Sequence, residues 1–189
     1  MRYLINDSPA EIEERLILYR TVLSWAVRQS ESFLLSLQPH IYDEETLNQI
    51  SALGKVELIQ LPQPNNTENL FMGIVKNLLR PLANKINIRI HNPPSQLLKI
   101  QGKSSENLIN ELTIRQAPTQ AIADDLCPVE DVELFLGKHT LYTLRDYGRT
   151  QILNLTTDEL TNLQQTLMNA DLNIDYLVLA PKYINDTEL

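Results

Sequence analysis

Arg145 and Arg149, in the stretch Arg145-Asp146-Tyr147-Gly148-Arg149, are the residues whose type and spacing most suggest chemistry. A guanidinium is a planar fork of N–H donors suited to carboxylate or phosphate. Two of them flanking a turn make a candidate anion- or partner-binding tip. Asp146 lies between them as an internal anion, so a solvated turn with local pairing is the expected state. His40, His91 and His139 are far apart in sequence and show no paired metal-ligand spacing. The single cysteine, Cys127, has no nearby base in sequence and cannot form an internal disulfide. Asp124, Asp125, Glu130, Asp131 and Glu133 lack the ligand alternation and turn glycine of a calcium loop, and are expected on a solvated helix face. No nucleotide-binding or nucleophile-elbow motif occurs, so no catalytic residue, metal or cofactor is assigned.

The elements around these residues follow from periodicity. Leu141 to Leu144 and Ile152 to Leu155 favour strands. The turn between them is expected at Asp146-Tyr147-Gly148, a type I turn with Gly148 left-handed, because positive φ is costly for an aromatic residue. This register sets Arg145 opposite Arg149, both towards solvent. Upstream, Ser8-Pro9-Ala10-Glu11 is a helix start. Ile12, Leu16, Tyr19, Leu23 and Ala26 line one face, with Leu18, Val22 and Trp25 beside it. The helix is expected to run on through Phe33–Leu37, although that piece also fits a short strand. Its apolar stripe is wider than a surface helix needs, which makes Leu16, Tyr19, Leu23 and Trp25 a candidate homodimer face.

Glu44 to Leu53 reads as a helix stopped by Gly54, and Val56 to Leu61 as a strand. Further on, the sequence predicts a helix after Asn65-Asn66-Thr67-Glu68, a strand over Ile86–His91, a turn at Asn92-Pro93-Pro94-Ser95 and a paired strand over Gln96–Gln101. A strand, helix and strand in this order suggest a crossover unit. Helices are expected over Ser104–Leu112 and Pro118–Leu126. Val129–Leu136 is open between helix and strand. A helix from Thr157 with Leu160, Leu163, Leu167 and Met168 inward precedes a final buried strand, Ile174–Ala180. The fold class is therefore α+β: a single domain, 1–189, with a mixed sheet covered by helices and a possible subdivision near 102–118.

Thr119 to Leu136, "TQAIADDLCPVEDVELFL", resembles the opening of a helix-turn-helix, with the following hairpin in the place of a wing. The resemblance implies a winged-helix-like nucleic-acid-binding regulator. Cys127-Pro128 stands where that turn carries glycine. Glu130, Asp131 and Glu133 would meet phosphates on the recognition helix and repel them.

Composition bounds the partners. The chain has 189 residues, 43% hydrophobic, with a formal net charge of −8. That balance opposes nucleic acid and anionic membrane surfaces as generic partners. No apolar run approaches the roughly 20 residues of a membrane span, and one cysteine with no secretory leader pattern suggests a cytoplasmic protein. The expected function is a non-enzymatic interaction or regulatory domain with a protein partner or self-association. The alternatives are the nucleic-acid-binding regulator and an enzyme whose site is assembled from residues distant in sequence.

Overall fold

The structure is a computed structural model, which describes residues 1–7, 10–60, 96–114 and 126–180. Strands β1 (Arg2–Ile5), β2 (Ser32–Leu37), β3 (Lys55–Gln60), β4 (Gln96–Lys103), β5 (Asp131–Leu136), β6 (His139–Arg145), β7 (Thr150–Asn154) and β8 (Leu177–Leu179) form one sheet in the order β3-β4-β2-β5-β6-β7-β1-β8. Helices α1 (Ile12–Gln29), α2 (Glu44–Ser51), α3 (Glu106–Ile114) and α4 (Thr157–Asn169) connect them. The domain is α+β, as the sequence implies. Every pairing among the described strands is antiparallel rather than mixed. The proposed crossover, including the Ile86–His91 strand and its flanking helix and turn, lies outside the described residues, as do Ser8-Pro9 and most of Pro118–Leu126. Residues on both sides of 102–118 share this sheet and one hydrophobic cluster.

The first helix ends earlier than its apolar pattern suggests. Ser30 turns extended, its N–H donates to the carbonyls of Ala26 and Val27, and its hydroxyl caps Val27. The Phe33–Leu37 stretch expected to prolong the helix is instead β2, between β4 and β5. Pairing with β4 over Ser32–Leu37 and with β5 over Ser32–Ser36 satisfies the backbone on both edges while Phe33, Leu35 and Leu37 still reach the core. The wide stripe of α1 is also accounted for within the chain. Helices α3 and α4 pack against it. Tyr19 and Leu23 are buried, Leu16 is half-buried, and Trp25 is only 4% exposed. Tyr19 Oη donates to the Leu112 carbonyl (2.8 Å) and Trp25 Nε1 to Asn162 Oδ1 (2.7 Å). The surface from which a homodimer was expected is thus occupied by the chain's own core.

The register sorts the strand residues onto two faces. Phe33, Leu134, Tyr142, Leu153 and Tyr3 follow one another across adjacent strands, as do Ile100, Leu35, Val132 and Leu144. Both rows belong to the core cluster or pack on it, together with Leu18 and Leu23 of α1, Ile50 of α2, Leu108 and Leu112 of α3, and Leu163 and Leu167 of α4. All four described helices therefore bury their apolar residues against this face. A second row runs on the opposite face across all eight strands, from Lys55 through Gln101, Leu34, Glu133, Thr143, Ile152 and Leu4 to Val178. Ile152 is buried but stands outside the core cluster. No described helix covers this second face.

Two C-terminal expectations need correction. Ile174 to Tyr176 form a 3₁₀ turn capped by the Asn173 side chain, and only Leu177–Leu179 extend, as an exposed edge strand with Leu179 61% accessible rather than a buried one. Helix α4 begins with a complete Thr156–Glu159 capping box and turns Leu163 and Leu167 inward, but Met168 is exposed.

Candidate functional site

The second sheet face carries two adjoining hollows, of about 450 Å³ and about 270 Å³, with Glu133 and Arg145 lining both. The strands position these residues by simple alternation. In β5, Val132 and Leu134 enter the core, which sends Asp131 and Glu133 to the open side. In β6, Leu144 enters the core and sends Arg145 to the same side. Arg145 bridges the two carboxylates: Nη1 is 3.1 Å from Asp131 Oδ2, and Nη2 donates to Glu133 Oε1. Leu34, Leu97, Ser36 and Lys99 form the neighbouring wall, with Glu130 and Asp146 at the rim.

This arrangement corrects the sequence reading at several points. Val129–Leu136, left open between helix and strand, becomes a strand from Asp131 onward, so the second helix of the helix-turn-helix resemblance is absent. Asp131 and Glu133 stand on a sheet, not on a solvated helix face. Arg145 pairs across the sheet with Thr150, not with Arg149. It faces the open side with its guanidinium taken up by two carboxylates. Arg149 makes the local pair with Asp146 (3.4 Å) that was expected of the turn. His40 lies in the turn after β2, at the end of the sheet where Ser36 pairs with Asp131. His139 opens β6 at the other end, its Nε2 2.8 Å from the Asn154 carbonyl oxygen. His91, Asp124 and Asp125 lie outside the described residues. Cys127 is buried, and burial pushes its thiol up to about 11, so it carries no thiolate at neutral pH.

The hairpin turn differs from the expected type I turn, with four residues between paired Arg145 and Thr150. Gly148 has the positive φ expected of it (98°), but Asp146 (52°) and Tyr147 (56°) are left-handed too. Tertiary contacts hold this costly geometry. The Tyr147 carbonyl accepts from both Leu126 and Cys127 N–H (2.8 Å each), and Tyr147 N–H donates to the Glu130 carbonyl (3.0 Å). The tyrosine ring is buried, and these bonds dock the turn onto the 126–130 loop. The turn therefore places Arg145, Asp146 and Glu130 around one hollow.

Electrostatics in that hollow favour a cation. Burial raises the Glu130 carboxyl above its ordinary range, and the Gln38 amide at Oε1 (3.1 Å) only partly offsets this. Its Oε2 is buried with no donor among the described residues. Burial also raises Asp131, outweighing the opposing pull of Arg145. Glu130, Asp131, Glu133 and Asp146 are four carboxylates facing two cations, Lys99 and Arg145.

Both raised carboxyls bind a proton more tightly in the folded chain than in the unfolded one. Their contribution is fully present below about pH 4 and is lost as pH rises through their raised values. Glu130→Gln should therefore stabilise the protein at pH 7 by less than about 1 kcal/mol, given solvent screening. It should also flatten stability against pH above 4. Urea denaturation at pH 5 and 7 checks this, and an unchanged pH slope would contradict it. Arg145→Ala leaves Asp131 and Glu133 facing one another and should cost about 1–2 kcal/mol at pH 7, whereas Arg149→Ala should cost under about 0.5 kcal/mol. Equal losses for the two would contradict the bridging role.

No protein-family model, curated protein or solved structure matches this chain. The fold and site define it as an α+β domain with helices on one face of an antiparallel sheet and a carboxylate-rich hollow on the other.

Proposed function

We propose that the protein is a protein-interaction domain whose second sheet face, covered by none of the described helices, holds a segment of a partner bearing both basic and apolar side chains. The observation that carries this reading is the second face itself. It has half-exposed Leu34 and Leu97 beside four carboxylates and two cations, in a chain of net charge −8. Aliphatic side chains of a partner would cover the leucines. A lysine or arginine laid in the hollow beside Glu130, Asp131 and Glu133 would draw the raised Glu130 and Asp131 carboxyls towards their charged form. Complementary charge of this kind sets selectivity and association rate, and the leucines supply apolar burial.

Two short synthetic peptides serve as probes, one alternating lysine with leucine and the other glutamate with leucine. The lysine peptide is expected to bind with an affinity that falls as salt rises, and the glutamate peptide not to bind. The double substitution Asp131→Asn, Glu133→Gln should weaken the lysine peptide at least tenfold, or about 1.4 kcal/mol. Equal binding of both peptides, or an affinity untouched by the double substitution, would refute the reading.

A further inference from the structure

On the other side of the molecule, α1 and α4 enclose a groove of about 470 Å³ with a different character. In a chain with eight more negative than positive charges, no carboxylate lines it among the described residues. Its charged residues are Arg20 and Arg28, both on α1 and exposed. Eight residues at 1.5 Å rise set them about 12 Å apart along the helix, one towards each end of the groove. Between them lie the Thr21 and Ser24 hydroxyls and the Asn162 amide. The Asn162 orientation is fixed. Its Oδ1 accepts from Trp25 Nε1 at 2.7 Å, so only the Nδ2 donors remain for a ligand. The Arg20 side chain makes no ion pair or hydrogen bond among the described residues. Arg28 is held by Glu106 of α3 (3.0 Å), but both side chains are more than half exposed, so the pair is easily exchanged. Guanidinium, hydroxyl and amide N–H donors spaced along one groove, with no carboxylate among its described lining residues, are the chemistry that suits a phosphate group.

We infer that this groove between α1 and α4 binds a phosphate monoester, with Arg20 as its principal anchor and Arg28 released from Glu106 to close on it. The phosphate belongs either to a soluble metabolite-sized molecule or to a lipid headgroup. The groove lies on the helical layer, so this site is separate from the sheet face and does not rest on the function proposed for it. Trp25, the chain's one tryptophan, lines the groove and is bonded to Asn162, which makes its emission a local reporter.

The test uses the full chain. Glycerol 3-phosphate is titrated by calorimetry and by Trp25 emission. Phosphatidylcholine vesicles with and without phosphatidic acid are titrated in parallel. Saturable binding of either phosphate source that shifts Trp25 emission supports the site, and whichever source binds identifies its origin. Arg20→Gln should weaken binding at least tenfold, while Arg20→Lys retains most of it. Glu106→Gln frees Arg28 and should strengthen binding two- to fivefold. Glu45→Gln, an exposed carboxylate on α2, should leave it unchanged. Absence of binding to both sources would overturn the inference. So would binding that leaves Trp25 emission unmoved, or that survives Arg20→Gln.

Discussion

Gly148→Ala is expected to destabilise the protein by about 2–3 kcal/mol, well beyond the cost of an exposed turn glycine. Two effects add. At φ 98° a side chain is disfavoured whatever the space around it, by about 1 kcal/mol. The new Cβ would also lie 3.0 Å from Leu126 Cβ and 3.4 Å from the Cys127 nitrogen, so the 126–130 loop must yield. That loop holds the Tyr147 carbonyl through two N–H donors, and loosening it releases the left-handed turn it secures. The damage should reach function, because Glu130 and Arg145 are positioned by the same docking. Equilibrium denaturation checks the first effect. A loss under about 0.5 kcal/mol would show that the turn is not clamped as described.

Gly54→Ala should cost more, about 3 kcal/mol or above. Its φ is not the issue. A Cβ there would stand 2.3 Å from the Gln101 carbonyl oxygen and 2.7 Å from its carbon, both backbone atoms of β4. The contact is reciprocal, since a Cβ on Gly102 would meet the Leu53 carbonyl oxygen at 2.8 Å and the Phe33 ring at 2.8 Å. The end of α2 is thus pressed against β4 just before β3 begins. Any side chain at Gly54 must separate β3 from β4 or lift α2 and Ile50 from the core. A thermal melt of Gly54→Ala within about 2 °C of the parent would contradict this packing.

How far the sequence showed these features depends on how local each cause is. Gly54 was readable as the stop after the second helix, because a helix C-terminus has a local signature, but its contact with Gln101 arises only in the assembled sheet. The Thr157 helix start and the Gly148 turn position were likewise local. For Phe33–Leu37 the sequence favours a continuation of α1 but also fits the strand that forms, because a helix and a two-sided central strand show the same short apolar run. Tyr147 was assigned negative φ on intrinsic cost, which the Leu126, Cys127 and Glu130 backbone bonds override. The site itself was half visible. Arg145 was singled out, but its partners were placed on a helix, although Asp131-Val132-Glu133-Leu134 alternates with the period of a strand. That Asp131, Glu133 and Arg145 meet depends on the pairing of β5 with β6 around a bulge between Leu134 and Phe135, which no single-sequence pattern encodes. The homodimer expectation treated the α1 stripe as surplus because the flanking helices α3 and α4, more than 75 residues further along the chain, could not be placed beside it.

The most direct test of the proposed interaction face is to map the lysine–leucine peptide onto the protein by backbone amide chemical shifts. The largest changes should fall on Leu34, Lys99, Glu133 and Arg145 of the central strands, with α1, α3 and α4 little affected. Changes confined to those helices, or to the edge strands β3 and β8, would place the partner elsewhere and contradict the account.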